Sequence, residues 1–156
     1  MSEERQSLLS RAALGTFRLN GQFLAVADEL ARPPGLSAAW WQVLGAVLRE
    51  PLPVSGIARA MGITRQSVQR VADLLVERGL AEYRPNPAHR RAKLLAPTEA
   101  GLAAVHRIDP GHATYADRLA EAFGEPELAE AVRLLERLSR VLDEVGLPEE
   151  GALPLQ

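Results

Sequence analysis

The residues best suited to chemistry lie in two short runs. The first is Thr64-Arg65-Gln66-Ser67-Val68-Gln69-Arg70 and the second is His89-Arg90-Arg91. Arg and Gln side chains can hydrogen-bond guanine and adenine edges bidentately, and Ser adapts to either. If the first run is helical, Arg65, Gln66, Ser67, Gln69, Arg70 and Asp73 all lie away from an apolar stripe of Val68, Val71, Ala72 and Leu75. The free N–H groups at the start of such a helix also attract phosphate. A merely solvated helix face would carry the same residue types. The second basic run, placed shortly downstream, tips the reading toward nucleic acid.

Charge is distributed in the same sense. The 156-residue chain has a net charge of −2. Between Arg59 and Lys93 there are eight cations against three acids, a local +5, which leaves −7 for the rest. A basic centre between acidic flanks is a local electrostatic footprint.

Other chemistry finds little support. The chain has no Cys, which removes disulfides, thiolate metal sites and cysteine nucleophiles. His106, Asp109 and His112 recur at spacings of three, but Pro110 interrupts them and a metal site needs three or four converging ligands. No metal and no cofactor are expected. There is no glycine-rich phosphate loop and no recognisable nucleophile signature, so the chain is not expected to be an enzyme. No apolar run approaches the roughly 20 residues of a membrane span. The N-terminal Met-Ser-Glu-Glu-Arg lacks a signal pattern, and a cytoplasmic location without membrane contact is expected.

The elements that must position these residues follow from breakers and periodicity. A Pro-free stretch from Glu4 to Ala31 reads as one long helix with a broad apolar arc. Ser37 caps a helix from Ala38 to Arg49 whose core face is Trp41, Leu44 and Leu48, with Trp40 pointing elsewhere. Ser55 is expected to cap a short helix to Met61. Gly62 can take a left-handed conformation, and Thr64 caps the helix Arg65–Arg78, which Gly79 ends. Leu80–Arg84 and Arg91–Ala96 read as a hairpin with the polar tip 85–90. Thr98 caps a further helix, and Pro110 either kinks it or starts a new one. The last helix reaches Val145, with Leu128, Ala131, Leu135, Leu138, Leu142 and Val145 as a heptad seam.

Helix, three-residue turn, helix, strand, basic loop, strand is the order of a winged helix-turn-helix. At this level of detail the segments Leu36–Leu44, Val54–Ala58, Ile63–Val68, Leu75–Leu80, His89–Lys93 and Pro97–Gly101 resemble the MarR family of bacterial transcriptional regulators. The resemblance spans about Leu36 to Val105. It implies a mainly α winged-helix homodimer with N- and C-terminal dimerisation helices, which binds pseudo-palindromic double-stranded DNA. It also implies that small aromatic or anionic effectors modulate binding. Arg65–Arg78 would enter the major groove, and Arg90 at the wing tip would reach the minor groove. Thr64, Arg65, Gln66, Ser67, Gln69, Arg70, His89, Arg90 and Arg91 are the expected DNA contacts.

Three residues depart from the family pattern: His89 and Asn86 stand where Asp is usual, and Trp40 where a polar residue is common. Trp40 is thereby a candidate wall of an effector pocket, or else an ordinary interface aromatic. Residues 1–35 and 106–146 are expected to form the dimerisation region, 36–105 the DNA-binding region, and 147–156 a frayed tail. The competing reading is a winged-helix module that binds protein and recognises no operator.

Overall fold

The computed structural model describes residues 2–148. It contains α1 (Ser2–Ala31), α2 (Ala38–Ala46), β1 (Leu52–Pro53), α3 (Val54–Met61), α4 (Arg65–Glu77), β2 (Ala81–Arg84), β3 (Leu94–Pro97), α5 (Glu99–His106), α6 (Asp109–Phe123) and α7 (Glu125–Val145). This is a mainly α winged helix-turn-helix. The chain divides into two compact units, one ending at His112 and the other beginning at Ala113. The first therefore takes in α1 together with the expected DNA-binding region.

The core of the first unit is aliphatic. Val43, Leu44, Val47, Ile57, Val68, Ala72, Leu75, Leu95 and Ile108 are fully buried, and no polar or charged side chain is buried among the described residues. Burying such side chains drives this fold, because each removes apolar surface from water without leaving a polar group unpaired. On α4 the buried residues are Val68, Val71, Ala72 and Leu75, the stripe expected from periodicity.

Capping sets several boundaries. Ser37 accepts from the Trp40 amide, Thr64 from the Ser67 amide and Thr98 from the Gly101 amide. Gly62 ends α3 at φ 67°, in the left-handed region a side chain resists. Ser55 is not a cap. Pro53 occupies the N-cap position of α3 with no side-chain hydrogen bond, and the helix begins at Val54. Leu48 is not core either: α2 ends at Ala46, Val47 turns inward, and Leu48 is exposed.

The sheet has three antiparallel strands in the order β1-β3-β2, not two. Leu52 pairs with Leu95 and Pro53 with Leu94. Tyr83 pairs with Leu95, and Ala81 with Pro97. The returning strand begins at Leu94, three residues later than the pattern Arg91–Ala96 suggested. The reason is local: the His89 amide bonds the Asn86 carbonyl and the Ala92 amide bonds the His89 carbonyl, so successive turns occupy this stretch.

Pro110 starts a new helix. Arg107 and Ile108 form the break after α5, with Ile108 buried, and α6 opens at Asp109. The expected frayed tail lies, beyond Pro148, outside the described residues. No helix among them is long and apolar enough to cross a membrane.

Candidate nucleic-acid interface

α4 presents its polar side outward because the opposite side is consumed by the core. Thr64, Arg65, Gln66, Ser67, Gln69 and Arg70 are exposed, as are His89, Arg90 and Arg91 in the wing. The Thr64 hydroxyl donates to the Ser67 oxygen at 2.8 Å while accepting the Ser67 amide, which fixes both hydroxyls at the helix start.

Between the first turns of α4 and the wing lies a cleft of about 650 Å³. Arg65, Gln66 and Gln69 line one side, and His89, Arg91 and Lys93 the other. No acidic residue lines it. Among the described residues no carboxylate pairs with Arg65, Arg70, Arg90 or Arg91, since the ion pairs are Arg32–Glu29, Arg84–Glu82 and Arg133–Glu130. Guanidinium groups left without protein partners in a concave, acid-free surface concentrate positive potential, and phosphate is the complementary group.

The expected contacts are not all gathered here. Arg90 faces a second concavity with Arg84, Pro85, Asn86 and Lys93. Arg70 lines neither. Asn86, which replaces the usual Asp, shapes the wing through its side chain: Oδ1 accepts the Ala88 amide at 3.0 Å, an Asx turn that needs no charge.

Gln69 is engaged within the protein. Its Nε2 donates to Asp73 Oδ1 at 3.0 Å and to the Tyr83 oxygen at 2.9 Å, and Tyr83 donates to Asp73 Oδ1 at 2.6 Å. Burial, then the hydrogen bond to Asp73 and its charge, push the Tyr83 phenol from 10.0 up to about 12, with the Gln69 donor pulling the other way. The role of Tyr83 is not legible in sequence. The Gln69–Asp73 spacing of four was the available signal, because i,i+4 amide–carboxylate pairs form readily on helices.

Trp40 is half-buried at the rim of the core, and the Arg78 guanidinium lies 5.7 Å from its ring centroid. This is cation–π range, at the far end of α4 from the cleft. Trp41 meets His112 edge-on at 5.6 Å. No group of three or more His, Asp or Glu side chains able to hold a metal occurs among the described residues.

A helix-turn-helix whose second helix and wing flank a basic cleft defines a winged-helix protein of the kind that regulates transcription. The model of the MarR family matches residues 35–92, and the chain belongs to that family, whose members are transcription regulators and not enzymes. An uncharacterized protein of Mycobacterium tuberculosis is 38% identical over 133 residues, covering 85% of this chain and 90% of its own. The transcriptional repressor CouR, solved on a 23-mer DNA duplex, superposes with a TM-score of 0.73 at 25% identity, covering 85% of this chain and 94% of CouR. BpsR of Bordetella bronchiseptica, described as regulated in DNA binding by 6-hydroxynicotinic acid, gives 0.72 at 23% identity, covering 83% and 98%. At that identity the likeness to BpsR concerns the fold.

Proposed function

We propose that this chain acts as a cytoplasmic homodimer that binds pseudo-palindromic operator DNA, with α4 in the major groove and the wing along the flanking minor groove. The observation that carries the reading is the acid-free cleft formed by Arg65, Gln66, His89, Arg91 and Lys93. Thr64 and Ser67 mark the helix start, where backbone amides favour phosphate. Gln66 and Arg70 are exposed on α4 for base edges, and Arg90 is exposed at the wing. CouR, solved on a DNA duplex, supports DNA as the partner.

Pairing with a second copy is supported by apolar side chains left in solvent. On α1 Leu9, Phe17 and Phe23 are more than half exposed, and on α7 so are Leu134, Leu142 and Val145. Surfaces of this kind on a soluble chain mark association sites. A two-fold dimer would present two copies of α4 to two half-sites.

Effector control by a small aromatic or anionic molecule rests on Trp40 and Arg78. A ring could lie against the indole while its anionic group meets the guanidinium. The regulation of BpsR by 6-hydroxynicotinic acid is a precedent on the same fold.

The test is a DNA titration across salt concentrations, using duplexes recovered by the protein from its own genome. Sequence-selective binding whose log K falls linearly with log salt is expected. Binding that ignores salt, or no binding, would favour a protein-binding module instead. Aromatic acids and phenols should then quench tryptophan fluorescence and weaken that binding together. Quenching without loss of DNA affinity would mean a pocket without a switch.

A further inference from the structure

Gln69, Asp73 and Tyr83 form a closed triangle of hydrogen bonds between two elements. Gln69 and Asp73 stand four residues apart on α4, and Tyr83 lies in the middle of β2, the first strand of the wing. All three separations fall between 2.6 and 3.0 Å. The amide orientation follows from chemistry, because turning the Gln69 oxygen toward the Asp73 carboxylate would oppose two acceptors. Tyr83 uses its oxygen as acceptor and its proton as donor. The carboxylate thus receives one proton from each partner.

The location gives the triangle its consequence. Gln69 and Tyr83 both line the cleft between α4 and the wing, where the helix and β2 meet. We propose that the Gln69–Asp73–Tyr83 triangle clasps the wing to the reading helix, and that these three are positioning residues which set the geometry of operator selection. Gln69 then acts through the clasp and not by reading a base. The proposal rests on the DNA-binding reading above.

With the clasp closed, Gln66 and Arg70 on α4 and Arg90 on the wing move as one body. A duplex must then offer its major-groove edges and its narrow groove at one fixed separation. With the clasp open, the wing can follow a wider range of duplex shapes, so discrimination falls while general attraction to phosphate persists.

The experiment uses the full chain and a duplex it selects from random-sequence DNA. The readout is the ratio of affinities for that duplex and for an unrelated one, at a single salt concentration. Tyr83→Phe keeps the ring against the sheet and removes both of its bonds, and should lower the ratio about tenfold. Gln69→Ala should lower it to a similar degree, and the double variant should be no worse than either, as for members of one network. Asp73→Asn retains an acceptor oxygen and should keep most of the ratio, whereas Asp73→Ala should lose it. Circular dichroism and sedimentation confirm that each variant folds and assembles. A Tyr83→Phe chain that discriminates as well as the unmodified one overturns the proposal alone. So does a Gln69→Ala chain that changes preference at a single base position, since Gln69 would then read that base. If the unmodified chain selects no duplex, the operator reading falls and this proposal falls with it.

Discussion

Gln66 and Arg70 lie one helical turn apart on the exposed side of α4, while Arg90 sits across the wing. The three should fail in different ways. Truncating Gln66 or Arg70 to Ala should cost about 1–3 kcal/mol on the operator and blur one base position per half-site. Arg90→Ala should weaken binding evenly across sequences and reduce the salt slope by about 0.9 for each phosphate that is no longer neutralised. Titrating each variant against an operator and its single-base variants at several salt concentrations separates these patterns. If Gln66→Ala and Arg70→Ala change neither affinity nor preference, α4 is not the reading element. Tyr83 gives a second residue-scale outcome through its raised pKa. Folding holds the phenol protonated, so its contribution to stability is complete below pH 10 and is lost as pH rises through about 12. The stability gap between the unmodified chain and Tyr83→Phe, measured by urea denaturation, should narrow over that interval. A constant gap would mean that the phenolic proton plays no part.

At the scale of elements, what could be read in advance was what local chemistry decides. Thr64 and Thr98 as caps, Gly62 as a left-handed stop and the stripe Val68–Leu75 each follow from a few neighbouring residues. β1 did not show itself, because a two-residue strand containing Pro53 exists only through its pairing with β3. The clasp was hidden for the same reason, since Tyr83 finds Asp73 across ten positions of chain. Gly101 is a further case of a requirement set by a distant neighbour. A Cβ there would lie 1.9 Å from the Leu80 carbonyl oxygen, a backbone atom that cannot step aside without moving the joint between α4 and β2. Gly101→Ala should therefore destabilise the chain by about 1–3 kcal/mol, the usual scale of overpacking. Gly56 in α3 is the contrast. Its Cβ would meet Pro53 at 3.5 Å, an ordinary contact, so Gly56→Ala should stabilise by about 0.5–1 kcal/mol through helix propensity. Urea midpoints of the two variants should move in opposite directions.

At the scale of the whole molecule the unanswered demand is apolar surface. α1 is 30 residues long with only Ala31 buried, and α6 and α7 bury no residue. Yet the heptad positions Leu135, Leu138, Leu142 and Val145 are 40–75% exposed, and Phe17 and Phe23 on α1 are 70% and 55% exposed. Exposed apolar faces of this extent mark association sites. Both carry the same kind of side chain, so the proposed second copy of this chain would supply the complement through a two-fold arrangement. The heptad spacing of α7 suits helix-to-helix packing, in which each apolar knob enters a hole on the facing helix. Placing a carboxylate in that setting removes it from water, which apolar interfaces do not tolerate unless a cation meets it. Phe23→Glu combined with Leu138→Glu should therefore give monomers or aggregates. Both side chains are exposed within the single chain, so the winged-helix core should survive the change and keep its circular dichroism. DNA affinity should fall steeply in the same variant, because one copy of α4 can hold only one half-site. Sedimentation at micromolar concentration decides the matter: an unmodified chain that runs as a monomer would refute the dimer, and with it the palindromic operator.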